Sequence, residues 1–502
     1  VKLRSLCTTA LALTTLLVQT TYATPPPAGP FIIAIGTIDG LYEDFAKKTA
    51  APLENGVPGN RLGGMGSGLT WLGGDRFLAL PDRGPNAVDY NDCVASDGKD
   101  ALDNTASYIN RFQTLHLSLA PSDAGSKLPF TLTPMLVKTT LLSSHTPLVY
   151  GPGCGDAKSG VPALNAIDHT YYFTGRSDNF DPNVHSSGNP RNARLDTESI
   201  RVSSDREHVY ISDEYGPYVY EFDRRTGVRT RSFPLPAKFF VPNQSPHVDF
   251  EIANNTVGRV TNKGMEGLAI TPDGRTLVGA MQSPLIQDGG DVKGGVTRIV
   301  TIDIHTGRTH EYAYQLDTVT KTTISDIVAI NDHEFLVDER DSKGRADVPG
   351  SKAGFKRLYQ IDLQFAHDIS DLAGAANIAP WAVQKTLFLD IVAVLTSDPV
   401  GMDPTVIPAK LEGVTFGPDV LVNGVVKHTI WVANDNDFLT PLPPAVGTGD
   451  DPNQFFVFAF DDHDLPFFEP QKFHRPEGDD RDREHHDRDH DHDRDDDHYD
   501  RQ

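Results

Sequence analysis

The sequence predicts an all-β fold, a β-propeller of about six blades with long loop insertions and a few short helices. Three observations carry this. A unit of two short apolar runs around a turn recurs along the chain. Its clearest copy spans residues 262–284: Glu266, the run Leu268-Ala-Ile270, the turn Thr271-Pro-Asp-Gly-Arg275, the run Thr276-Leu-Val-Gly-Ala280 and the polar end Met281-Gln-Ser-Pro284. Pro fixes φ, Asp tolerates unusual turn geometry and Gly takes positive φ, so Pro-Asp-Gly between β-prone runs signals a hairpin. The spacing also repeats: about fourteen residues separate Gly68 from Asp82, Ser199 from Asp213 and Gly267 from Met281. Finally, two units share a later turn, Asp223-Arg-Arg-Thr-Gly227 and Asp303-Ile-His-Thr-Gly307, each after an alternating strand such as Tyr218-Val-Tyr-Glu-Phe222.

Residues 1–23 read as an export signal. Lys2 and Arg4 precede an apolar run from Leu6 to Val18, and Thr21-Tyr-Ala23 offers a small residue for cleavage. The run is too short to span a bilayer, so the mature protein is expected to be secreted or periplasmic, with no membrane span. Cys93 and Cys154 then remain, and in an exported protein a pair is expected to form a disulfide. Residues 24–474 are expected to form one propeller domain, because blades pack on their neighbours and absorb a long chain as one unit. Further copies of the unit start at Ser67-Gly-Leu69, Thr197-Glu-Ser-Ile200, Ser325-Asp-Ile327 and Lys410-Leu-Glu-Gly-Val414. Between Tyr90 and Arg191 the repeat fades; runs at 112–119, 130–137 and 169–173 are expected to add one or two blades. Segments 181–190 and 287–295 read as loops. Segments 365–376 and 381–394 read as short helices inserted beside the propeller. Residues 475–502 hold almost only Asp, Arg and His, which predicts a disordered tail with weak affinity for Zn²⁺ or Ni²⁺.

A net charge of −24 argues against a nucleic-acid partner. The repeat itself proposes a site. Glu198, Glu266 and Glu412 recur at one position, with Asp326 shifted by one; the strand ends carry Asp82-Arg83, Asp213-Glu214, Gln282, Asp338-Glu-Arg340 and Asn434-Asp-Asn-Asp437. If these ends converge on a channel, the carboxylates raise one another's pKa unless a cation neutralises them. Hard oxygen donors suit Ca²⁺ or Mg²⁺, and such an ion orients a phosphate and activates water. The expected assignments are Glu266, Glu198, Glu412 and Asp82 as catalytic acids, and Arg83, Lys263, Arg340 and Gln282 as substrate-binding residues. Asp213, Glu214, Asp435 and Asp437 are the expected metal ligands, with Ca²⁺ favoured. Against this stands a purely structural role, since acids at turns also bond backbone N–H groups. No Gly-x-Ser-x-Gly elbow stands before a helix; Gly64-Met-Gly-Ser-Gly68 opens a strand instead. His145, His169, His185 and His247 show no pairing with a nucleophile.

The stretches RLDTESIRVSSDREHVYISDEYGPYVYEFD, NKGMEGLAITPDGRTLVGAMQSPLIQDGG, GSGLTWLGGDRFLALPDRGPNA and KLEGVTFGPD resemble the phytase-like domain family, named for esterase-like activity of phytase. The resemblance runs from about residue 30 to 465. It implies a propeller, export, and hydrolysis of a small-molecule ester or phosphoester. The dense Asp-Asp-Pro-Ala motif of the calcium-dependent propeller phytases is absent; Gly449-Asp-Asp-Pro452 lacks its remainder, so their calcium ligands do not carry over. The expected function is an exported, metal-assisted phosphoric-ester hydrolase. The alternatives are a non-catalytic propeller that binds a ligand or protein, and a metal-independent carboxylesterase.

Overall fold

The structure, a computed structural model, describes residues 29–86, 105–151, 160–181, 183–184, 186–246 and 248–473. The expected export signal, the expected disordered tail, Cys93, Cys154, His185 and His247 lie outside the described residues.

Five antiparallel blades are built from four strands each. Blade I is Gly68–Gly73, Arg76–Leu80, Arg111–Pro121 and Phe130–Leu141. Blade II is Thr197–Val202, His208–Asp213, Tyr218–Asp223 and Arg229–Pro234. Blade III is Met265–Ile270, Thr276–Met281, Val296–Asp303 and Thr309–Gln315. Blade IV is Thr323–Ala329, Glu334–Arg340, Lys356–Asp362 and Lys385–Asp390. Blade V takes Leu411–Phe416, Val425–Asn434 and Asn453–Phe460 from the end of the chain and Phe31–Ile38 from its beginning. That outer strand pairs from Phe31↔Ala459 to Ile38↔Asn453, so it joins the two ends of the described chain within one sheet.

The expected six blades are thus corrected to five among the described residues. The long strands at 111–121 and 130–141 complete blade I, and Tyr171–Tyr172 pairs only with Ser143–Ser144. A long connection between the second and third strands of blade I split one blade into two apparent fragments. The expected helix at 381–394 also changes: Lys385–Asp390 is the outer strand of blade IV, and the helix is only Ile391–Thr396, capped by the Asp390 side chain accepting from Ala393 N–H at 3.0 Å. The expected helix at 365–376 reduces to Ala375–Ile378.

Strand alternation explains the core. Phe335 and Val337 face blade III, whereas Leu336 faces blade V. Five large apolar clusters fill the five gaps between adjacent blades, which closes the ring. Phe77 of blade I meets Trp431 of blade V with ring centroids 4.6 Å apart. Fully burying such a side chain contributes about 1.5–3 kcal/mol.

One irregularity positions the site. The first strand of blades II, III, IV and V bulges at the same point: between Thr197 and Ile200, at Glu266, at Ser325 and at Glu412. A bulge re-aims side chains out of the alternating pattern. The following residues, Ser199, Gly267, Asp326 and Gly413, crowd the axis with Gly68 of blade I. A Cβ on Gly267 would lie 2.9 Å from the Asp326 backbone, and one on Gly413 2.8 Å from the Gly66 carbonyl oxygen. Close approach therefore requires glycine there.

Asp326 and Arg201 close the channel at this level. Arg201 Nη2 donates to both Asp326 oxygens at 2.9 Å, to Ile327 O at 2.9 Å and to Val414 O at 3.1 Å. Its Nη1 donates to Leu69 O at 2.8 Å. Asp326 accepts from Ser199 Oγ and Val414 N–H, both at 2.9 Å. On the opposite face the C-terminal segment crosses the channel mouth. Glu469 N–H donates to Ile330 O at 2.8 Å, Lys472 N–H to Pro272 O at 3.1 Å and Gln471 Nε2 to Val202 O at 2.8 Å. Phe473 then packs on Trp71 with ring centroids 5.9 Å apart.

Candidate functional site

On the other side of the Arg201–Asp326 plug lies a cavity of about 560 Å³. Its acids come from the bulges, Glu198, Glu266 and Glu412, and from the residues at or just after the second strands, Asp82, Glu214, Asp341 and Asp435. Arg83, Gln282 and Arg340 stand at the same strand ends, and Lys263 precedes the first strand of blade III. Of the twelve expected site residues, all but Asp213 and Asp437 line this cavity. Asp437 sits beside it, where its carboxylate accepts from Lys410 Nζ at 2.5 Å. Asp213 turns to the backbone instead, accepting from Asp196 N–H at 3.1 Å and Tyr215 N–H at 3.0 Å. Asp326, grouped with the recurring acids in the sequence, belongs to the plug; Ser325 takes the bulge position in blade IV.

Sequence reasoning missed Lys410, which lines the cavity, and Asp196, which backs Arg83. Each stands two residues before a recurring glutamate, Glu412 and Glu198, and that spacing was the available signal.

The carboxylates fall into two groups whose oxygens lie within 4.8 Å of one another, Asp82–Asp435–Asp437 and Asp196–Glu198–Glu214. Lys410 neutralises the first, with Nζ 2.8 Å from Asp435 and 2.5 Å from Asp437. Arg83 serves the second: Nη1 lies 3.0 Å from Asp196 and 4.0 Å from Glu214. Arg340 pairs with Glu412 and donates through Nε to Ser325 Oγ at 2.6 Å. Lys263 donates to Gln282 Oε1 at 3.1 Å. Glu266 stands apart: it is 3% exposed, its Oε2 has no hydrogen-bond partner, and among the described residues no cation lies in ion-pair range of it.

Burial dominates the titration of these groups. It pushes Asp82 up to about 7, against the pull of Arg83 and Lys410. It pushes Glu266 up to about 8, with Glu412 adding and Arg340 opposing. Burial, then Glu266 and Asp196, hold Glu198 well above the carboxylate range; burial, then Asp196 and Glu266, do the same to Glu214. Asp82 and Glu266 therefore exchange protons near neutral pH, as general acids and bases must. The donor chemistry, buried carboxylate oxygens in excess over cations, also fits a hard divalent ion. Among the described residues no helix is long and apolar enough to cross a membrane.

A sequence model described as "Phytase-like: Esterase-like activity of phytase" matches residues 60–438. An "Uncharacterized secreted protein" of Arthroderma benhamiae is 34% identical over 193 residues, covering 32% of this chain and 37% of that protein. The chain thus matches little more than a third of that relative's length. Among solved structures, a putative 6-phosphogluconolactonase from Bacteroides uniformis aligns at 13% identity and a TM-score of 0.27, over 78% of this chain and 88% of that one. The Cps50 (Swd1) β-propeller domain of Myceliophteria thermophila aligns at 9% identity and a TM-score of 0.21, over 48% of this chain and 53% of its own.

Proposed function

The chain belongs to the Phytase-like family, esterase-like activity of phytase, and from that membership we propose that it is an exported hydrolase of small-molecule phosphoric esters, working in the channel cavity with a divalent cation, Ca²⁺ favoured. The observation that carries the reading is one cavity holding Glu266, whose Oε2 has no hydrogen-bond partner, together with Arg83, Lys263, Arg340 and Lys410. The four cations suit phosphate oxygens, and Arg83 and Arg340 present paired donors to them. Burial keeps Glu266 and Asp82 within reach of both protonation states. In the hydrolysis, a water oxygen bonds to phosphorus and the ester P–O bond breaks. Glu266 takes the proton from water, and Asp82 gives one to the departing oxygen. Asp196, Glu198 and Glu214 are the donor set that would hold a cation, which would neutralise phosphate charge there; Lys410 already neutralises the group that contains Asp82. Residues 1–23 and the secreted relative support action outside the cytoplasm, in the periplasm or beyond.

The test is turnover of a phosphomonoester by wild type and by Glu266→Gln, with chelator and with Ca²⁺ restored. The expected result is a loss on the order of a hundredfold in a variant that stays folded, and wild-type turnover abolished by chelator and recovered with Ca²⁺. Full activity in a folded Glu266→Gln protein removes Glu266 from the reaction. Chelator-resistant turnover of acyl esters would replace the reading with a metal-independent carboxylesterase.

A further inference from the structure

On the face opposite the cavity, blades I and II enclose a second hollow of about 490 Å³. Four arginines line it: Arg76 from the first turn of blade I, and Arg206, Arg224 and Arg225 from two turns of blade II. The whole chain carries a net charge of −24, so a cluster of this sign stands out. Among the described residues none of the four lies in ion-pair range of a carboxylate, and Arg76, Arg206 and Arg225 donate no side-chain hydrogen bond. Arg224 donates through Nε to the Arg206 carbonyl. The acids beside them are occupied or exposed. Asp205 accepts from Ser203 Oγ at 2.5 Å and Glu207 N–H at 2.8 Å, and Asp223 accepts from Thr226 N–H and Oγ1, both at 2.7 Å. Glu207 is exposed. Lys138 adds a fifth cation nearby, its Nζ donating to Arg225 O at 2.8 Å. Burial, then the charges of Arg76 and Arg206, lower the pKa of Arg224; burial, then Arg224 and Arg225, lower that of Lys138. These cations repel one another, and an anion placed among them relieves the repulsion.

The chain supplies an anion at this spot. Phe473 ends the segment that crosses the channel mouth, and the Arg206 guanidinium sits over its ring, 5.2 Å from the centroid. Residues 474–502 continue from that point. After His474 and Arg475 comes Pro476-Glu-Gly-Asp-Asp480, with three acids and no cation, whereas the next stretch, Arg481-Asp-Arg-Glu484, alternates in sign. An extended chain covers at most about 3.6 Å per residue, so Glu477 to Asp480 reach up to about 14–25 Å from Phe473, enough to span the hollow. So short a tether holds the acids at an effective concentration of roughly millimolar.

We propose that Glu477, Asp479 and Asp480 dock in the arginine hollow of their own chain, their carboxylates taking the open donors of Arg76, Arg206 and Arg224. The pairing requires no folded structure in the tail. It fastens the far end of the segment whose backbone and side chains bond Ile330 O, Pro272 O and Val202 O, and so ties that segment to blades I and II at the mouth opposite the cavity. The proposal is independent of the reaction in the channel.

The experiment is phenylglyoxal modification of full-length protein, with the rate at each arginine read by peptide mass mapping. Wild type is compared with Glu477→Gln/Asp479→Asn/Asp480→Asn, whose substitutions lie outside the five blades. At low salt Arg76, Arg206 and Arg224 are expected to react at least about threefold faster in the triple variant. The difference should vanish at about 1 M salt, where screening acts over about 3 Å. Asp482→Asn/Glu484→Gln, in the stretch of alternating sign, should keep the wild-type rates. Equal low-salt rates in wild type and the triple variant overturn the proposal, as does the same rise in the Asp482→Asn/Glu484→Gln protein. Protection that fades as wild type is diluted assigns the anion to a second copy and overturns docking within one chain. Inorganic phosphate that slows the three arginines only in the triple variant upholds the tail as occupant; phosphate that slows them equally in both proteins makes the hollow a free-anion site and removes the tail from it.

Discussion

Asp326→Asn isolates the plug that closes the channel. The substitution keeps shape and removes charge, leaving the Arg201 guanidinium buried without its counter-ion; the two side chains are 5% and 0% exposed. Burial raises the Asp326 carboxyl above its usual range even with Arg201 beside it, so the pair is expensive to assemble and its role shows when one half is removed. Breaking such a pair costs about 3–5 kcal/mol. Roughly 420 described residues at about 2.1 cal/mol/K each give an unfolding entropy of about 0.9 kcal/mol/K, so about 4 kcal/mol lowers the melting temperature by about 4 °C. Calorimetry and guanidinium titration of wild type, Asp326→Asn and the double variant Arg201→Met/Asp326→Leu measure it. The double variant should recover most of the loss, because two apolar side chains leave no stranded charge. If Asp326→Asn stays within about 1 kcal/mol of wild type, well below the cost of a broken buried pair, the plug does not hold the five blades and the reasoning fails.

Three further outcomes are expected. His428 bridges Asp419 at 2.8 Å and Asp462 at 3.0 Å; burial opposes its charge, but the two carboxylates outweigh burial and raise its pKa. The stabilisation is therefore full below the unfolded value of about 6.5 and is lost as pH rises through the folded one, so the urea-midpoint gap between wild type and His428→Asn should narrow with rising pH; a gap constant from pH 6 to 9 contradicts this. Phe468, partly buried against Phe416 at 4.4 Å and Phe460 at 5.5 Å, should cost about 2 kcal/mol as Phe468→Ala, seen in denaturant midpoint. Deleting residues 24–38 removes the outer strand of blade V and exposes its unpaired edge, so the truncated chain should lose its cooperative melt and aggregate; a soluble truncated protein with an unchanged melt would show that the joined ends contribute little.

The repeat made the site legible because it tracked strand ends, and in a propeller the equivalent ends converge. What it could not carry was pairing between blades. Arg83 of blade I meets Asp196 ahead of blade II, and Arg340 of blade IV meets Glu412 of blade V, contacts over sequence separations that no local pattern encodes. The pair Asp213-Glu214 shows a second limit. Successive strand residues point opposite ways, so one of two equal acids enters the cavity and the other caps backbone, and composition alone does not say which. Blade number failed for a third reason. Phe31–Ile38 precedes the first recognisable unit, and its partner strand is Asn453–Phe460, so ring closure is written at the two ends of the described chain rather than inside any repeat.

The apparent one-residue shift of Asp326 among the recurring acids carries the relation between fold and site. The bulge turns two consecutive residues toward the channel. The first, Glu198, Glu266 or Glu412, lines the cavity; the second, Ser199, Gly267, Asp326 or Gly413, packs at the axis. Asp326 then bonds Ser199 Oγ, one residue from Glu198, and Val414 N–H, two residues from Glu412, while Arg201 reaches Leu69 O across the channel. The plug thus grips the strands that carry the cavity acids, next to the residues that carry them. Spacing between the carboxylates is set by the same bonds that hold the blades together. A change in the plug is therefore expected to shift the spacing of the cavity carboxylates along with stability, and the turnover of any channel variant is interpretable only beside its folded fraction.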